Sequence, residues 1–314
     1  MSTMRKALTE YVAVRRALGA QFREPAVTLR RFVEFAERQG AAFITTALAL
    51  RWAMAPVDVQ RATWARRLSQ VRRFATWLHA QDPRTQIPSA RVLVGQRRRR
   101  QPHIFTDQEV TRLMAAARRL ASWNGRRAHT YTTLIGLLAT TGLRPGEALR
   151  LQQPDVDLEH GRLFIRDSKF GKSRVVPLHE STRAALAKYA RQRPVRHAEA
   201  QTNAFFVSVR GRPLSGSAAR RTFAHLTRAV RLRPGTGRRV GRGPRWQDLR
   251  HTFTTRTLVE WYRAGRDVTR ELPILSTYLG HRDVAHTYWY IAGIPELLQL
   301  ATDKLSGRRA GGGQ

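Results

Sequence analysis

Apolar residues recur every three or four positions through the first 95 residues, which is the spacing that places them on one face of an α-helix. Four segments carry the pattern: EYVAVRRALGAQF, VTLRRFVEFAERQG, TTALALRWAM and TWARRLSQVRRFATWLHAQ. In the fourth segment, the pattern leaves Arg66, Arg67, Arg72 and Arg73 mostly on the other faces. We therefore predict that residues 1–95 form a helical domain with a basic outer surface.

The composition changes between Asp82 and Pro102, where proline, glutamine and arginine replace the helical pattern. Four arginines stand in a row in this segment: Arg97, Arg98, Arg99 and Arg100. We predict that residues 96–105 are a basic linker whose charge can hold phosphates. A linker that is merely solvated remains an equal alternative.

A second domain is predicted for residues 106–305. The sequence Thr106-Asp107-Gln108-Glu109 has the form of a capping box and opens a helix. Further helical patterns occur in YTTLIGLLATTG, STRAALAKYARQ, SAARRTFAHLTRAV, PELLQLATDKL and the segment from Trp246 to Gly265. The segments RLFIRD and SRVVPL, joined by the turn SKFGK, predict a β-hairpin, and AFFVS a possible short strand. The fold class is therefore mainly α with a small antiparallel sheet, followed by a disordered tail at 306–314.

The charge of the chain points to a polyanionic partner. The 314 residues include 57 Lys and Arg against 22 Asp and Glu, and the formal net charge is +35. Arginine-rich codon usage is an alternative cause of the bias, but the resulting field would still attract nucleic acid. Because the chain has no cysteine, disulfides and thiolate metal sites are excluded, and a reducing cytoplasm is expected. No apolar run approaches the roughly 20 residues of a membrane span.

Several residues whose side chains can bind a phosphate lie where predicted helices start or stop. Arg144 stands between Gly142 and Pro145, and Arg250 opens an apolar helix. Two of the five lysines in the chain, Lys169 and Lys172, fall in the turn SKFGK. A single arginine at a helix end is more often a capping group. The further candidates are Glu147, Gln247, His281 and Tyr290, the last nine residues beyond His281.

Taken together, the motifs TGLRPGEAL, SKFGKSRVVPL, DLRHTF, LGH and the later tyrosine resemble the tyrosine recombinase (phage integrase) family. The resemblance spans about residues 106–300. The N-terminal 95 residues are similar to the helical, SAM-like core-binding domain of that family. The ending HTYWYIAGIPELLQLA resembles the recombinases of mobile elements.

The resemblance implies a role for each candidate. Tyr290 would attack a DNA phosphodiester and form a 3′-phosphotyrosyl bond, so neither a cofactor nor a metal is expected. Arg144 and Arg250 would bind the non-bridging oxygens, and Lys169 would protonate the departing 5′ oxygen. The supporting roles fall to His281, which would bond the scissile phosphate, to Glu147, which would orient the arginines, and to Lys172, which would contact a phosphate.

One position departs from the family pattern. Where the family usually has histidine three residues before the second arginine, this chain has Gln247. Glutamine donates hydrogen bonds but cannot exchange a proton near neutral pH. His251 lies one helical turn away and could face a similar way, although a structural role is favoured for it because the family often has a histidine there.

These residues predict a site-specific recombinase or integrase acting on double-stranded DNA for the movement (transposition) of a mobile element. The alternative is a catalytically weak or inactive DNA-binding accessory subunit, which Gln247 would mark. A dimer to tetramer on DNA is expected, alone or with related recombinases, in the bacterial cytoplasm at the nucleoid. PELLQLATDKL would dock on a neighbouring protomer, or instead on its own chain. The predicted DNA-binding residues are Arg66, Arg72, Arg73, Arg97, Arg98, Arg99 and Arg100.

Overall fold

The computed structural model divides the chain into two compact units, Met1–Arg100 and Gln101–Gln314. It describes residues 3–93, 101–123, 125–166, 173–193, 202–233, 243–281, 283–285, 287–288, 297–299 and 302. None of the helices within those ranges has the length and apolar character needed to cross a membrane.

The run of linker arginines that was predicted to hold DNA phosphates lies outside the described residues. It consists of Arg97, Arg98, Arg99 and Arg100. The structure therefore does not test the predicted phosphate contacts of these four residues, and each stays a prediction.

Within residues 3–93, the first unit forms four helices, as predicted. They are α1 (Thr3–Ala17), α2 (Arg23–Arg38), α3 (Thr46–Met54) and α4 (Arg61–His79). The chain leaves α2 through Gly40, whose φ of 64° lies in the left-handed region that glycine tolerates. The side chain of Thr45 then accepts a hydrogen bond from Leu48 N at 3.1 Å and caps α3.

Apolar and aromatic side chains fill the core of this unit. Phe32 and Phe74 are fully buried, and the ring of Phe74 lies 5.4 Å from that of Tyr11. Arg67 is the exception to the prediction that the four arginines lie mostly on the outer faces. Its guanidinium lies 3.8 Å from the centre of the Trp52 ring and donates to Trp52 O at 2.7 Å. By contrast, Arg66 and Arg73 are exposed and Arg72 is half-buried.

The second unit is mainly helical. Its helices are α5 (Asp107–Arg118), α6 (Arg126–Thr141), α7 (Pro145–Arg150), α8 (Glu180–Gln192), α9 (Gly216–Ala229), α10 (Trp246–Arg263) and α11 (Val268–Leu279). The predicted capping box of α5 is confirmed, because Glu109 N donates to Thr106 Oγ1 at 3.2 Å and Thr106 N donates to Glu109 Oε2 at 3.0 Å.

A three-stranded antiparallel sheet has the order β1 (Val156–Asp157), β2 (Arg162–Ile165) and β3 (Arg174–Pro177). The strands β2 and β3 form the predicted hairpin, with Phe164 opposite Val175. The two-residue strand β1 was not predicted. The prediction of a short strand at AFFVS is wrong. These residues form no regular strand and make only two isolated β-bridges, Gln152 to Ala204 and Val207 to Pro213.

Two apolar clusters support the second unit. The larger one joins α5, α6, α8, α9 and the sheet, and includes Leu138, Phe206 and Phe223. The smaller one joins α10 and α11, and Leu297 from the predicted helix PELLQLATDKL is fully buried in it. Leu297 therefore packs on its own chain, while Leu298 is exposed. Docking of this segment on a neighbouring protomer stays a prediction.

Candidate active site

Two helices of the second unit end at glycines, and their last carbonyl groups lie close together. The helix α6 ends at Gly142, with φ 60°, and α11 ends at Gly280, with φ 68°. A Cβ atom on Gly142 would lie 2.4 Å from the Phe253 ring, so the close packing there also requires glycine. At the second end, Gly280 N donates to Thr277 O and His281 N to Ser276 O, each at 2.9 Å. The turn therefore fixes His281 directly beyond the helix.

The start of α10 is held in place by its first turn. Trp246 stacks on Phe223 at 4.3 Å between ring centres and donates from Nε1 to Ala219 O at 2.9 Å. The buried carboxylate of Asp248 accepts from Arg245 N at 2.8 Å and caps the helix. These contacts set the rotation of α10 and with it the direction of Arg250, one turn further along.

Arg250 is 1% exposed and connects both helix ends. Its Nη1 donates to Gly142 O at 3.0 Å and its Nη2 donates to Leu279 O at 2.8 Å. Carbonyls in the last turn of a helix have no partner within the helix, so they are natural acceptors for a guanidinium. The burial of Arg250 agrees with its predicted position at the start of an apolar helix.

Arg144 reaches the same place from the start of α7. Its Nη1 donates to Glu147 Oε1 at 2.8 Å, and its Nη2 donates to Gly280 O at 2.9 Å. A longer bond from Nη1 to Leu279 O measures 3.4 Å. Leu279 O thus accepts from both arginines. Arg144 is half-buried, so part of its side chain can reach a ligand.

Glu147 is 3% exposed and lies between two guanidinium groups. Besides its bond to Arg144, its Oε2 accepts from Arg174 Nη2 at 2.8 Å and its Oε1 from Arg174 Nη1 at 3.2 Å. Burial acts to raise the pKa of Glu147, but the hydrogen bonds and charge of Arg174, followed by those of Arg144, outweigh burial and lower the pKa to about 2. Glu147 is therefore a carboxylate at any working pH.

Arg174 was not among the predicted site residues. Besides binding Glu147, it donates from Nε to Tyr278 O at 2.7 Å, just before the turn that carries His281. Strand periodicity gave a usable signal, because Arg174 lies two residues before the buried Val176 and so on the same face of β3. An arginine on the core face of a strand indicates a buried partner.

His281 contacts a second residue that the sequence analysis missed. Its Nδ1 lies 2.8 Å from Oγ1 of Thr287, which is fully buried. This hydrogen bond fixes the orientation of the imidazole ring. Thr287 stands three residues before Tyr290 in the sequence, so a bond from it ties the histidine to the segment that leads to the tyrosine.

Gln247 lies in the first turn of α10, three residues before Arg250. The side chain is half-buried and lines an apolar cavity of about 480 Å³ together with Pro145, Gly146 and Trp246. Between described residues, the structure contains no hydrogen bond from Gln247 to Arg144, Arg250 or His281. His251 is also half-buried, one residue beyond Arg250.

The structure thus brings together four predicted residues: Arg144, Glu147, Arg250 and His281. Lys169, Lys172 and Tyr290 lie outside the described residues. Guanidinium groups that share acceptors in a buried site are suited to binding an anion with several oxygens, such as a phosphodiester. Across the described ranges, no group of three or more His, Asp or Glu side chains is arranged to hold a metal ion.

Comparisons with known proteins identify the family of the chain. Residues 103–295 match the Phage integrase family. The chain is 44% identical over 313 residues to the "Putative integrase/recombinase y4rB" of Sinorhizobium fredii (strain NBRC 101917 / NGR234), covering 98% of each protein. It is 32% identical over 234 residues to the tyrosine recombinase XerD of Caulobacter vibrioides, covering 74% of this chain and 72% of XerD.

Solved structures share the fold at low sequence identity. The Tn1549 transposon integrase in complex with circular intermediate DNA superposes with a TM-score of 0.65 at 17% identity, covering 95% of this chain and 99% of that one. A lambda integrase dimer bound to a COC′ core site gives a TM-score of 0.61 at 18% identity, covering 90% and 96%. The mainly α fold with its small antiparallel sheet is therefore the one found in integrases.

Proposed function

The chain belongs to the phage integrase family of tyrosine recombinases, and we propose from this premise that it is a site-specific recombinase that cleaves and rejoins DNA strands through a 3′-phosphotyrosyl intermediate. One observation carries the proposal. Arg144 and Arg250, from different helices, donate to the same oxygen, Leu279 O, two residues before His281. The guanidinium groups of Arg144 and Arg250 therefore meet at the turn that carries His281.

The reaction is a transesterification. The Oη of Tyr290 attacks phosphorus, a new P–O bond to tyrosine forms, and the P–O5′ bond breaks. The tyrosine proton passes to a base, and the departing 5′ oxygen receives a proton and leaves as a hydroxyl. Because bond energy stays in the phosphotyrosyl ester, a second 5′ hydroxyl can reverse the step and join a new partner strand without a cofactor.

Charge accumulates on the non-bridging oxygens in the transition state, and Arg144 and Arg250 stabilise it with paired N–H donors. His281 donates a further hydrogen bond to the same phosphate. Glu147 holds Arg144 in place, and its lowered pKa keeps it ionised while it does so. The buried position of Arg250 strengthens its interaction with the phosphate, because a low local dielectric weakens charges less than water does.

The remaining roles concern the hairpin and the start of α10. Lys169 protonates the 5′ oxygen, and Lys172 contacts a neighbouring phosphate. Gln247 donates a hydrogen bond to the phosphate region but does not transfer a proton. His251 has a structural role, as a neighbour of the buried Arg250.

We place this reaction in the movement of a mobile element, in the bacterial cytoplasm on nucleoid DNA. The support is the 44% identity to a named integrase/recombinase and the shared fold of a transposon integrase. Double-stranded DNA is the substrate, and a dimer to tetramer assembles on it, alone or with related recombinases.

Further phosphate contacts are proposed outside the active site. In the first unit they come from the exposed Arg66 and Arg73 and the half-buried Arg72. The linker adds four more arginines, namely Arg97, Arg98, Arg99 and Arg100. These contacts hold the DNA backbone without reading its sequence.

A suicide substrate tests the proposal. Duplex DNA with a nick next to the cleavage site loses its short 5′-hydroxyl fragment, so the covalent protein–DNA adduct accumulates and is seen on a denaturing gel. Tyr290→Phe should abolish the adduct and leave DNA affinity nearly unchanged, because one hydroxyl adds little to many phosphate contacts.

Tyr288→Phe is the matched control. Tyr288 lies two residues earlier and is 49% exposed, and its loss should leave adduct formation intact. If only Tyr288→Phe removes the adduct, the nucleophile is Tyr288. If the wild-type protein binds its DNA tightly and forms no adduct, the chain is the inactive accessory subunit instead.

A further inference from the structure

Arg174 joins its own strand to two other elements of the second unit. It stands at the start of β3, its Nη1 and Nη2 bind the Glu147 carboxylate on α7, and its Nε binds Tyr278 O near the end of α11. The side chain is only 10% exposed. A guanidinium presents its N–H donors as a rigid planar fork, so three bonds of this kind fix the relative position of the groups they join.

Gly280 packs closely against the Arg174 guanidinium, at the junction of β3, α7 and the end of α11. A Cβ atom at Gly280 would lie 2.8 Å from Nη1 of Arg174, closer than atoms that are not bonded can approach. The turn that carries His281 is thus packed against the Arg174 guanidinium as well as bonded to it. Any shift of β3 along its axis would move this guanidinium and press on the turn.

The position of Arg174 in the sequence connects this junction to the hairpin turn. Arg174 follows Lys169 by five residues and opens the strand that leaves the turn. It also shares Glu147 with Arg144, since each of these arginines donates to Glu147 Oε1. One side chain therefore joins the hairpin to the carboxylate that holds Arg144 and to the backbone before His281.

We propose that Arg174 is a positioning residue that aligns strand β3 with Arg144 and with the Gly280–His281 turn, and so keeps Arg144 and His281 in place for the scissile phosphate. The inference rests on the proposed function and adds a residue to it. Arg174 acts through Glu147 and the turn and does not itself contact the DNA.

Replacing Arg174 should change how cleavage depends on pH. The Glu147 carboxylate is bonded by Arg144 and Arg174, and these are the charged groups that lower its pKa. Arg250 and His281 belong to the same junction, because Arg250 bonds Leu279 O and His281 follows Gly280. With Arg174 present, the pKa of Glu147 is about 2 and its charge persists through acidic pH. Without Arg174, burial is opposed by Arg144 alone and the pKa rises. Cleavage by Arg174→Gln should then fall as pH falls through the raised pKa, because protonated Glu147 releases Arg144.

The experiment compares Arg174→Gln with Arg162→Gln on the suicide substrate at saturating DNA. Arg162 is the matched control, because it lies in the same sheet and pairs with a carboxylate, Asp157, at 2.8 Å on an exposed side of β2. Arg174→Gln should cleave about 10²-fold more slowly, as expected for misplaced groups, while Arg162→Gln stays near wild type. Arg174→Lys keeps the charge and should recover part of the rate.

The fall in cleavage rate at low pH should disappear in the double variant Arg174→Gln with Glu147→Gln, because this variant has no carboxyl group at position 147 to titrate. A merely structural arginine would give a lower amount of folded protein with an unchanged pH profile. The proposal is overturned if Arg174→Gln and Arg162→Gln cleave at equal rates. It is also overturned if Arg174→Gln cleaves slowly but has the pH profile of the wild type.

Amide hydrogen exchange gives a result that does not require catalysis. In Arg174→Gln, the protected amides of Gly280 and His281 should exchange faster, while those in α4 keep wild-type rates. Unchanged exchange at the turn also contradicts the positioning role. If the wild-type protein forms no adduct, the proposed function fails, and the exchange measurement still decides whether Arg174 holds the turn.

Discussion

The two units differ in what they bury. In the first unit, the buried cluster consists of apolar and aromatic residues, and Thr85 is the one buried polar residue in its described part. The second unit buries Glu147, Asp248 and Arg250, each less than 5% exposed. Its arginines reach inward to carbonyl groups, whereas Arg66 and Arg73 of the first unit face solvent.

The buried groups of the first unit serve its folding, whereas the buried charges of the second unit also fix the geometry of the candidate site. Apolar burial stabilises the first unit and needs no particular orientation of any one group. A buried charge is costly unless it is paired and hydrogen-bonded, so the charges of the second unit persist only in a fixed geometry. The fixed geometry is what a phosphate site requires. We therefore expect changes in the first unit to act on stability and affinity, and changes at the buried charges to act on rate.

Phe74→Ala should produce the largest effect and confine it to the first unit. Phe74 is fully buried, so its removal should cost about 3–5 kcal/mol of the free energy of unfolding of that unit. Calorimetry would show the loss, and DNA affinity should fall with it. Amide exchange at residues 276–281 should stay at wild-type rates. Faster exchange there would show that the two units do not respond independently.

Arg250→Lys should act mainly on rate. Lysine keeps the charge but cannot bond Gly142 O and Leu279 O together as the planar fork does. Formation of the phosphotyrosyl adduct should slow by about 10²- to 10³-fold. Arg30→Lys is the same substitution at an exposed site in the first unit, outside the proposed DNA contacts, and should leave the rate unchanged. A similar slowing in both variants would remove the distinction between buried and exposed arginines.

Gln247 should give the smallest effects. Gln247→Ala should slow adduct formation by about 10²-fold if its amide donates to the phosphate in the transition state. Gln247→His should leave the rate equal or higher and add a dependence on pH, with the rate rising through a pKa of about 6.5 as the imidazole becomes a neutral base. If Gln247→Ala has no effect while His251→Ala abolishes cleavage without unfolding the protein, the role belongs to His251.

The helices and four members of the site could be predicted from the sequence because local signals define them. Gly142 and Gly280 end apolar helical patterns, and each glycine has the positive φ that such an end requires. Arg144 and His281 follow those glycines within two residues. Their positions are therefore fixed by the helix ends, and the close approach of the two ends brings the side chains together.

Other features depend on contacts that the sequence does not encode locally. Phe205, Phe206 and Val207 form an apolar run that suggested a strand, but they are buried without a partner strand to extend the pairing. Apolar residues indicate burial more surely than they indicate a strand. Arg174 was missed because its partners, Glu147 and Tyr278 O, lie 27 and 104 residues away.

The two helix ends at the site also set its charge balance. A helix C-terminus is equivalent to about half a negative charge, and both α6 and α11 direct theirs at the arginines. Three guanidinium groups are thus opposed by one carboxylate and two half charges, which leaves roughly one positive charge for one phosphodiester. The protein as a whole, at +35, attracts DNA of any sequence. Under the proposed function, the roughly one positive charge of the site balances a single phosphodiester, so a second anion would gain little there.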